Sequence, residues 1–150
     1  KNTIDYQPFS SETIVLVGGN EIDKSEFETI EKENNLEFTE NWLKQQKWYG
    51  TTGDMEHLRR FWQLNFNKYA DFRPNYIVPN LNSIVRCLSS GKGLAVVPDF
   101  LCKKEIQTNQ IQLIWKGKTP LENTLYFATR KKTMHIDEIN LIKKIFIDVM

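Results

Sequence analysis

Two stretches of the sequence place small polar residues between a strand and the start of a helix. One is WYGTTGD (48–54), and the other is IVPNLNS (77–83). Helix N-termini offer unpaired N–H groups and a positive dipole end, and ligands of open α/β sheets settle at the carboxyl ends of strands. Together, the two stretches would suit a small molecule with an anionic group.

The polar side chains of these stretches have two interpretations. They are Thr51, Thr52, Asn80, Asn82 and Ser83. As ligand contacts, they would supply hydroxyl and amide donors. Alternatively, they only cap helices and form turns, because Thr, Asn and Ser are the residues that helix starts prefer. Spacing alone favours caps and turns.

The residues that catalysis would need do not form a recognisable set. His57 and His135 are the only histidines, and both fall in predicted helices or at their starts. The sequence has no HExxH, GxSxG or Walker A pattern, and no GxGxxG after a strand. We therefore predict no catalytic residue, metal site or cofactor.

Length and composition fit one ordinary domain or two small lobes. The chain has 150 residues, of which 40% are hydrophobic, and a formal net charge of +1. A domain that grips DNA phosphates by itself usually carries a basic excess. No stretch is long and apolar enough for a membrane span, and no signal peptide is evident. Cys87 and Cys102 are expected to be reduced core thiols of a cytoplasmic protein.

Hydrophobic patterning predicts alternating strands and helices, which favours an α/β fold with parallel strand pairs. Strands are predicted at 13–17, 45–49, 76–78, 94–97, 111–115 and 124–130. Helices are predicted at 25–33, 54–66, from Asn80 or Asn82 to Leu88, at a turn after Asp99, and at 135–149.

The order of several motifs resembles the C-terminal part of LysR-type transcriptional regulators. PNLNSIVRCLSSGKGLAVVPDFL (79–101) is followed by IQLIW, NTLYFATRKK and an amphipathic helix. Gly91, Gly93 and Pro98 fill the positions of the family's GxGxxxxP motif. LRRFWQLNF (58–66) and YQPFSSETIVLVGG (6–19) resemble the preceding helix and strand, so the resemblance covers essentially the whole chain.

The resemblance implies a fold similar to type 2 periplasmic binding proteins, with largely parallel sheets in two lobes and the effector in the cleft. The crossover strands would be TIVLV (13–17) and TLYFA (124–128). Lobe II would be essentially complete at 20–122, and 1–19 with 123–150 would be a remnant of lobe I. The winged helix-turn-helix, linker helix and first elements of lobe I are absent, so we expect a truncated regulator.

The resemblance also implies where the effector would bind. The matching positions are Tyr49, Gly50, Thr51, Thr52, Val78, Pro79, Asn80 and Pro98. Many family members have Ser or Thr where this chain has Val78-Pro79, which weakens the case for a hydroxyl-to-anion contact there. Trp48 and Tyr49 would instead favour an aromatic or apolar ligand.

The function that follows is effector sensing within a LysR-type regulator. Its expected partners are a small-molecule effector and further copies of the chain, as a dimer or tetramer through helices 54–67 and 81–90. DNA would be contacted only by the missing N-terminal domain, and no membrane partner is expected. One alternative is a free-standing periplasmic solute-binding protein. A helix-turn-helix in the upstream sequence would indicate a regulator, and a secretory leader would indicate the solute-binding protein. The other alternative is a small α/β enzyme, for which the sequence offers no evident catalytic base or nucleophile.

Overall fold

The structure, a computed structural model, describes residues 4–52, 55–130 and 136–149, without the side chains of 127, 129–130, 136–138 and 146–149. The described strands are β1 (Ile4–Gly19), β2 (Tyr49–Gly50), β3 (Tyr76–Ile77), β4 (Leu94–Pro98), β5 (Ile111–Trp115) and β6 (Leu121–Arg130). The described helices are α1 (Lys24–Lys32), α2 (Leu36–Lys44), α3 (Met55–Phe66), α4 (Leu81–Leu88), α5 (Lys103–Gln107) and α6 (Ile136–Val149), with a 3-10 turn at Asp99–Cys102. The predicted cap Asp54 and His135 lie outside the described residues.

The chain divides into two compact units, and the boundary falls inside β1 and at the start of β6. One unit takes in Thr13–Leu121. The other takes in Lys1–Glu12 and Glu122–Met150, and contains the first part of β1, most of β6 and all of α6. In this smaller unit, β6 pairs with β1, and Lys143 Nζ donates a hydrogen bond to Gln7 Oε1 at 2.6 Å.

The sheet structure of the larger unit is mixed, so the α/β prediction is confirmed but the expectation of a largely parallel sheet needs refinement. β1 pairs antiparallel with both β4 and β5. β2 pairs parallel with β3, and a parallel bridge joins Trp48 to Leu94. Strands β2 to β5 therefore all run in one direction. The long strand β1 lies between β4 and β5 and runs in the opposite direction.

Side chains on the central strands alternate between two hydrophobic clusters, one on each face of the sheet. On β1, Ile14 and Leu16 belong to the first cluster, and Val15 and Val17 to the second. Strand β4 alternates in the same way. The first cluster contains buried side chains of α1, α2 and α3, and the second contains those of α4. Strands that are covered on both faces have continuous apolar sequences, which explains the apolar runs TIVLV and LAVV.

Short polar side chains begin three of the helices. Asp23 accepts a hydrogen bond from Glu26 N at 3.0 Å to cap α1, and Asn35 accepts one from Phe38 N at 3.1 Å to cap α2. Asn80 caps α4, which confirms one of the two predicted starts of that helix. Helix α2 was not predicted. No helix in the described part of the chain is long and apolar enough to cross a bilayer.

The GKG sequence before β4 allows a close approach to the end of β1. Gly91 and Gly93 have φ angles of 108° and 89°, in the region that favours glycine. Their carbonyls accept hydrogen bonds from Glu21 N at 2.7 Å and from Gly19 N at 3.0 Å. A Cβ on Gly19 would lie 2.2 Å from the backbone carbon of Gly91. These glycines therefore join two backbone segments at the edge where β4 begins.

Candidate functional site

The carboxyl ends of three strands lie along one edge of the larger unit. Strands β2, β3 and β4 run in the same direction and end at Gly50, Ile77 and Pro98. The residues that follow them are therefore brought to the same edge, where ligands of α/β sheets characteristically bind. We call this the carboxyl edge, defined by 49–52, 78–80 and Pro98. It brings together the two polar stretches that were singled out in the sequence.

Parallel pairing of β2 and β3 places Tyr49 and Gly50 beside Val78. Val78 N donates a hydrogen bond to the carbonyl of Gly50 at 2.9 Å. The rings of Tyr49 and Tyr76 stack with their centroids 5.1 Å apart. Burial raises the pKa of the Tyr49 phenol above its ordinary value, and Cys87 and Tyr76 add to the effect. At neutral pH this half-buried side chain keeps its proton, so it can both donate and accept a hydrogen bond.

The position of Tyr49 depends on a glycine of the neighbouring strand segment. A Cβ on Gly93 would lie 2.6 Å from Tyr49 Cε2, so the ring rests directly on the glycine backbone. On the other side of β2, a Cβ on Gly50 would lie 2.7 Å from Pro74 Cγ. The lack of side chains at these two positions lets β2 pack tightly and holds the Tyr49 ring against Gly93, the residue before β4.

Asn80 performs the capping role that was the simpler interpretation of its stretch. Its Oδ1 accepts hydrogen bonds from Ser83 N at 2.9 Å and from Ser83 Oγ at 3.2 Å. The residue is exposed, with the extended backbone typical of an N-cap. Since Oδ1 is occupied by the helix start, a ligand would meet the amide nitrogen of Asn80 rather than this oxygen.

The remaining predicted positions differ in their exposure to solvent. Thr52 and Pro79 are exposed, whereas Thr51 is only 3% exposed. Pro98 is buried in β4, where it pairs with Ile14. The space behind β2 is a cavity of about 10 Å³, which is about the room that one water molecule needs. A ligand at this edge would therefore lie against its outer surface and contact Thr52, Pro79 and Asn80 first.

Trp48 belongs to the core and does not face the carboxyl edge. It is 1% exposed, and its Nε1 donates a hydrogen bond to the carbonyl of Leu43 at 2.8 Å. Its ring meets Trp62 edge to face, with centroids 5.9 Å apart. The ring of Tyr49, the other aromatic residue that the sequence offered for an apolar ligand, contacts Tyr76 and Gly93, which lie at the beginnings of β3 and β4.

Sequence reasoning missed the buried carboxylate of Glu40 on α2. Glu40 is 5% exposed, and its Oε2 accepts a hydrogen bond from Trp62 Nε1 at 2.7 Å. Its Oε1 lies 2.8 Å from Lys68 Nζ. The signal that could have found the helix is Asn35, a cap residue placed before Leu36 and Leu43 on one helical face. The first contact joins α2 to α3 and the second joins α2 to the segment after α3, so Glu40 has a structural role.

Other groups that could do chemistry are dispersed. His57 lies in α3 and is half-buried. Within the described ranges, no three His, Cys, Asp or Glu side chains are grouped as a metal site would require. Burial raises the pKa of the Cys102 thiol to about 11, so little of it is a reactive thiolate at neutral pH. Cys87 is half-buried, and both cysteines are free.

The arrangement is that of a ligand-binding α/β protein, with a carboxyl edge formed by parallel strands and a long strand shared between two units. Comparison with known sequences then defines the family. The chain belongs to the LysR substrate binding domain family, whose sequence model matches residues 2–140.

Individual relatives agree with this assignment. The HTH-type transcriptional regulator AbaB of Streptomyces antibioticus is 26% identical over 80 residues, which are 53% of this chain and 27% of AbaB. The effector domain of the transcriptional regulator AmpR of Pseudomonas aeruginosa has a TM-score of 0.66 at 7% identity, over 99% of this chain and 66% of that chain. Full-length LysG of Corynebacterium glutamicum with bound effector Arg has a TM-score of 0.60 at 9% identity, over 95% of this chain and 46% of LysG. The two structural likenesses show the fold, and this chain spans only part of each relative.

Proposed function

We propose that this chain is the effector-sensing part of a LysR-type transcription regulator and binds a small molecule at the carboxyl edge. The observation that carries the proposal is the convergence of 49–52 and 78–80 at the ends of two paired parallel strands. Membership of the LysR substrate binding domain family supports a ligand-binding role for the chain. LysG with its bound effector Arg is an example of a ligand of amino-acid size.

The chemistry of the edge suits a small polar ligand that also has an apolar part. Thr52 supplies an exposed hydroxyl. Asn80 supplies an amide beside the N-terminus of α4, where backbone N–H groups favour an anionic group. Val78 and Pro79 supply apolar surface. A carboxylate that carries a compact side chain would match all of these groups.

We also propose the role of the whole protein, on the basis of its family. The unit Thr13–Leu121 corresponds to lobe II, and the smaller unit to the part of lobe I that this sequence includes, with crossovers in β1 and β6. Effector binding would shift the population of regulator conformations. The protein would act in the cytoplasm as a homo-oligomer without catalysing a reaction, and DNA would be contacted by a winged helix-turn-helix domain.

A thermal-shift screen tests ligand binding directly. The chain would be heated with amino acids, aromatic carboxylates and sugars, one compound at a time. At a ligand concentration of 100 Kd, binding to the folded state adds about 2.7 kcal/mol to the free energy of unfolding. For a chain of this size, that corresponds to a rise in Tm of about 5–10 °C.

Two edge variants then locate the site of any compound that binds. Thr52→Ala removes the exposed hydroxyl, and Asn80→Ser removes the amide while keeping an oxygen that can cap α4. Thr108→Ala is the matched control, because Thr108 is also exposed but lies before β5, away from the carboxyl edge. The Tm rise should shrink in the edge variants and persist in the control. If no compound raises the Tm, or if the control loses the rise as well, the proposal fails.

A further inference from the structure

A separate cavity lies on the face of the larger unit that carries the second hydrophobic cluster. Its volume is about 370 Å³, within the range of small-molecule sites. It is bounded by the 3-10 turn, α5 and the strands β1 and β5. Side chains that define it are Val15, Phe100, Lys103, Ile106, Leu113 and Lys116. None of them is among the eight positions of the carboxyl edge.

The floor of this cavity is apolar. Val15 and Leu113 come from the paired strands β1 and β5, and Ile106 comes from α5. Leu113 and Ile106 are only half-buried, although both pack against the cluster that contains Val15. When an apolar group covers partly hydrated apolar surface in a concave site, the free energy falls. The floor therefore favours the hydrocarbon or aromatic body of a ligand.

The rim of the cavity is cationic. Lys103 and Lys116 are both exposed, and neither has an ion-pair partner among the described side chains. Asp99 also lines the cavity, so the two ammonium groups face one carboxylate, and the excess is one positive charge. Phe100 stands at the rim with 52% of its surface exposed. An anionic head group at this rim would meet the lysines while its body lies on the floor.

We propose that this cavity is a second ligand site, which binds a small amphipathic anion with an apolar body and one carboxylate. Flexible lysine stems can lie along the apolar wall and keep their ammonium groups at the rim. The exposed ring of Phe100 adds a lateral wall of apolar surface. The cavity begins at Asp99, directly after Pro98 of the carboxyl edge, but it shares no lining residue with that edge, and neither proposal depends on the other.

Octanoate is a suitable probe, and octylammonium is its control with the same tail and the opposite charge. Binding to the chain would be measured by calorimetry, and the site would be located by the NMR shifts of the Val15 and Leu113 methyl groups. We expect octanoate to bind at least ten times more tightly than octylammonium. Shifts should appear at these methyls and be absent from Thr52 and Asn80.

Lysine variants test the rim. Lys103→Gln and Lys116→Gln should each raise the Kd of octanoate several-fold, and the double variant should raise it at least tenfold. Lys104→Gln is the matched control, because this lysine is a neighbour on α5 that does not line the cavity. Phe100→Ala should weaken octanoate and octylammonium binding by the same factor, since it removes apolar contact alone.

Several results would overturn the proposal. One is the absence of octanoate binding. A second is equal binding of octanoate and octylammonium, and a third is an equal loss of affinity in Lys104→Gln and Lys116→Gln. Shifts confined to Thr52 and Asn80 would assign octanoate to the carboxyl edge instead. A change of oligomeric state in Phe100→Ala, without octanoate binding to the parent chain, would show that this face is an interface between copies.

Discussion

The buried carboxylate of Glu40 offers a quantitative test of how α2 is held against α3. Its two oxygens serve different partners, with Oε2 2.7 Å from Trp62 Nε1 and Oε1 2.8 Å from Lys68 Nζ. Glu40 and Trp62 are 5% and 0% exposed, so water cannot replace this hydrogen bond. Half of the Lys68 side chain is exposed, so solvent screens its ion pair.

Glu40→Ala should lower the free energy of unfolding mainly through Trp62. The substitution leaves the indole N–H buried without an acceptor, which costs about 1–3 kcal/mol. Loss of the Lys68 contact adds only a little to this cost, because water can solvate the exposed ammonium group of Lys68. Glu40→Gln keeps an amide oxygen for Trp62 and exchanges a charged acceptor for a neutral one. We expect that exchange to cost about 1 kcal/mol, less than the alanine substitution.

Urea unfolding, followed by tryptophan fluorescence, measures both variants. Glu28→Ala is the control, because Glu28 is an exposed carboxylate on α1 and should change stability by at most about 0.5 kcal/mol. If Glu40→Ala costs no more than Glu28→Ala, the hydrogen bond to Trp62 does not stabilise the fold. If the Gln and Ala variants at position 40 lose equal stability, the negative charge matters, and the acceptor for the indole does not.

Three further predictions concern reactivity, pH and close packing. A thiol reagent should modify Cys87 well before Cys102 in the folded chain, because burial raises the pKa of Cys102 to about 11; equal rates by mass spectrometry would contradict this. The pKa of Tyr49 is raised, so its contribution to stability is complete below pH 10 and is lost as the pH rises above 10. Tyr49→Phe should remove that loss from urea unfolding measured across this range, and an unchanged pH dependence would refute it. Gly19→Ala should cost about 3 kcal/mol, because its Cβ would meet backbone atoms of Gly91 and Lys92. Gly18→Ala would meet only side-chain atoms and should cost less in the same unfolding assay. Equal costs would show that the backbone yields.

The sequence predicted best those elements whose signals are local. Strand β5 was predicted with its observed bounds, because IQLIW is a short apolar run that turns enclose. Helix α4 begins directly after Asn80, a cap residue that precedes a strongly amphipathic stretch. Helix α2 was missed, because two polar residues, Thr39 and Glu40, occupy its buried face and disguise the pattern.

Long-range pairing explains the larger errors. β1 was predicted at 13–17 but begins at Ile4, since its first part is mostly exposed and pairs with β6, which local burial patterns do not reveal. β2 was predicted at 45–49 but consists of Tyr49 and Gly50. The lengths of such strands depend on partners that are distant in sequence.

The candidate site was only partly predictable from residue types. The cap chemistry of Asn80 and the polar character of 51–52 could be read directly from the sequence. The closeness of Tyr49 and Val78 could not, because it arises from the parallel pairing of β2 with β3. Resemblance to the LysR family supplied that juxtaposition. Neither the residue types nor the resemblance predicted that Trp48 is buried in the core.

Backbone amide NMR, with a compound that raises the Tm, tests the central claim most directly. We predict that the largest shifts on titration fall on Thr52, Asn80 and their neighbours along the carboxyl edge. Amides at the opposite edge, such as those of Gly93 and Thr108, should change little. Shifts concentrated at that opposite edge, or distributed without a maximum at 49–52 and 78–80, would contradict the assignment of effector binding to the carboxyl edge.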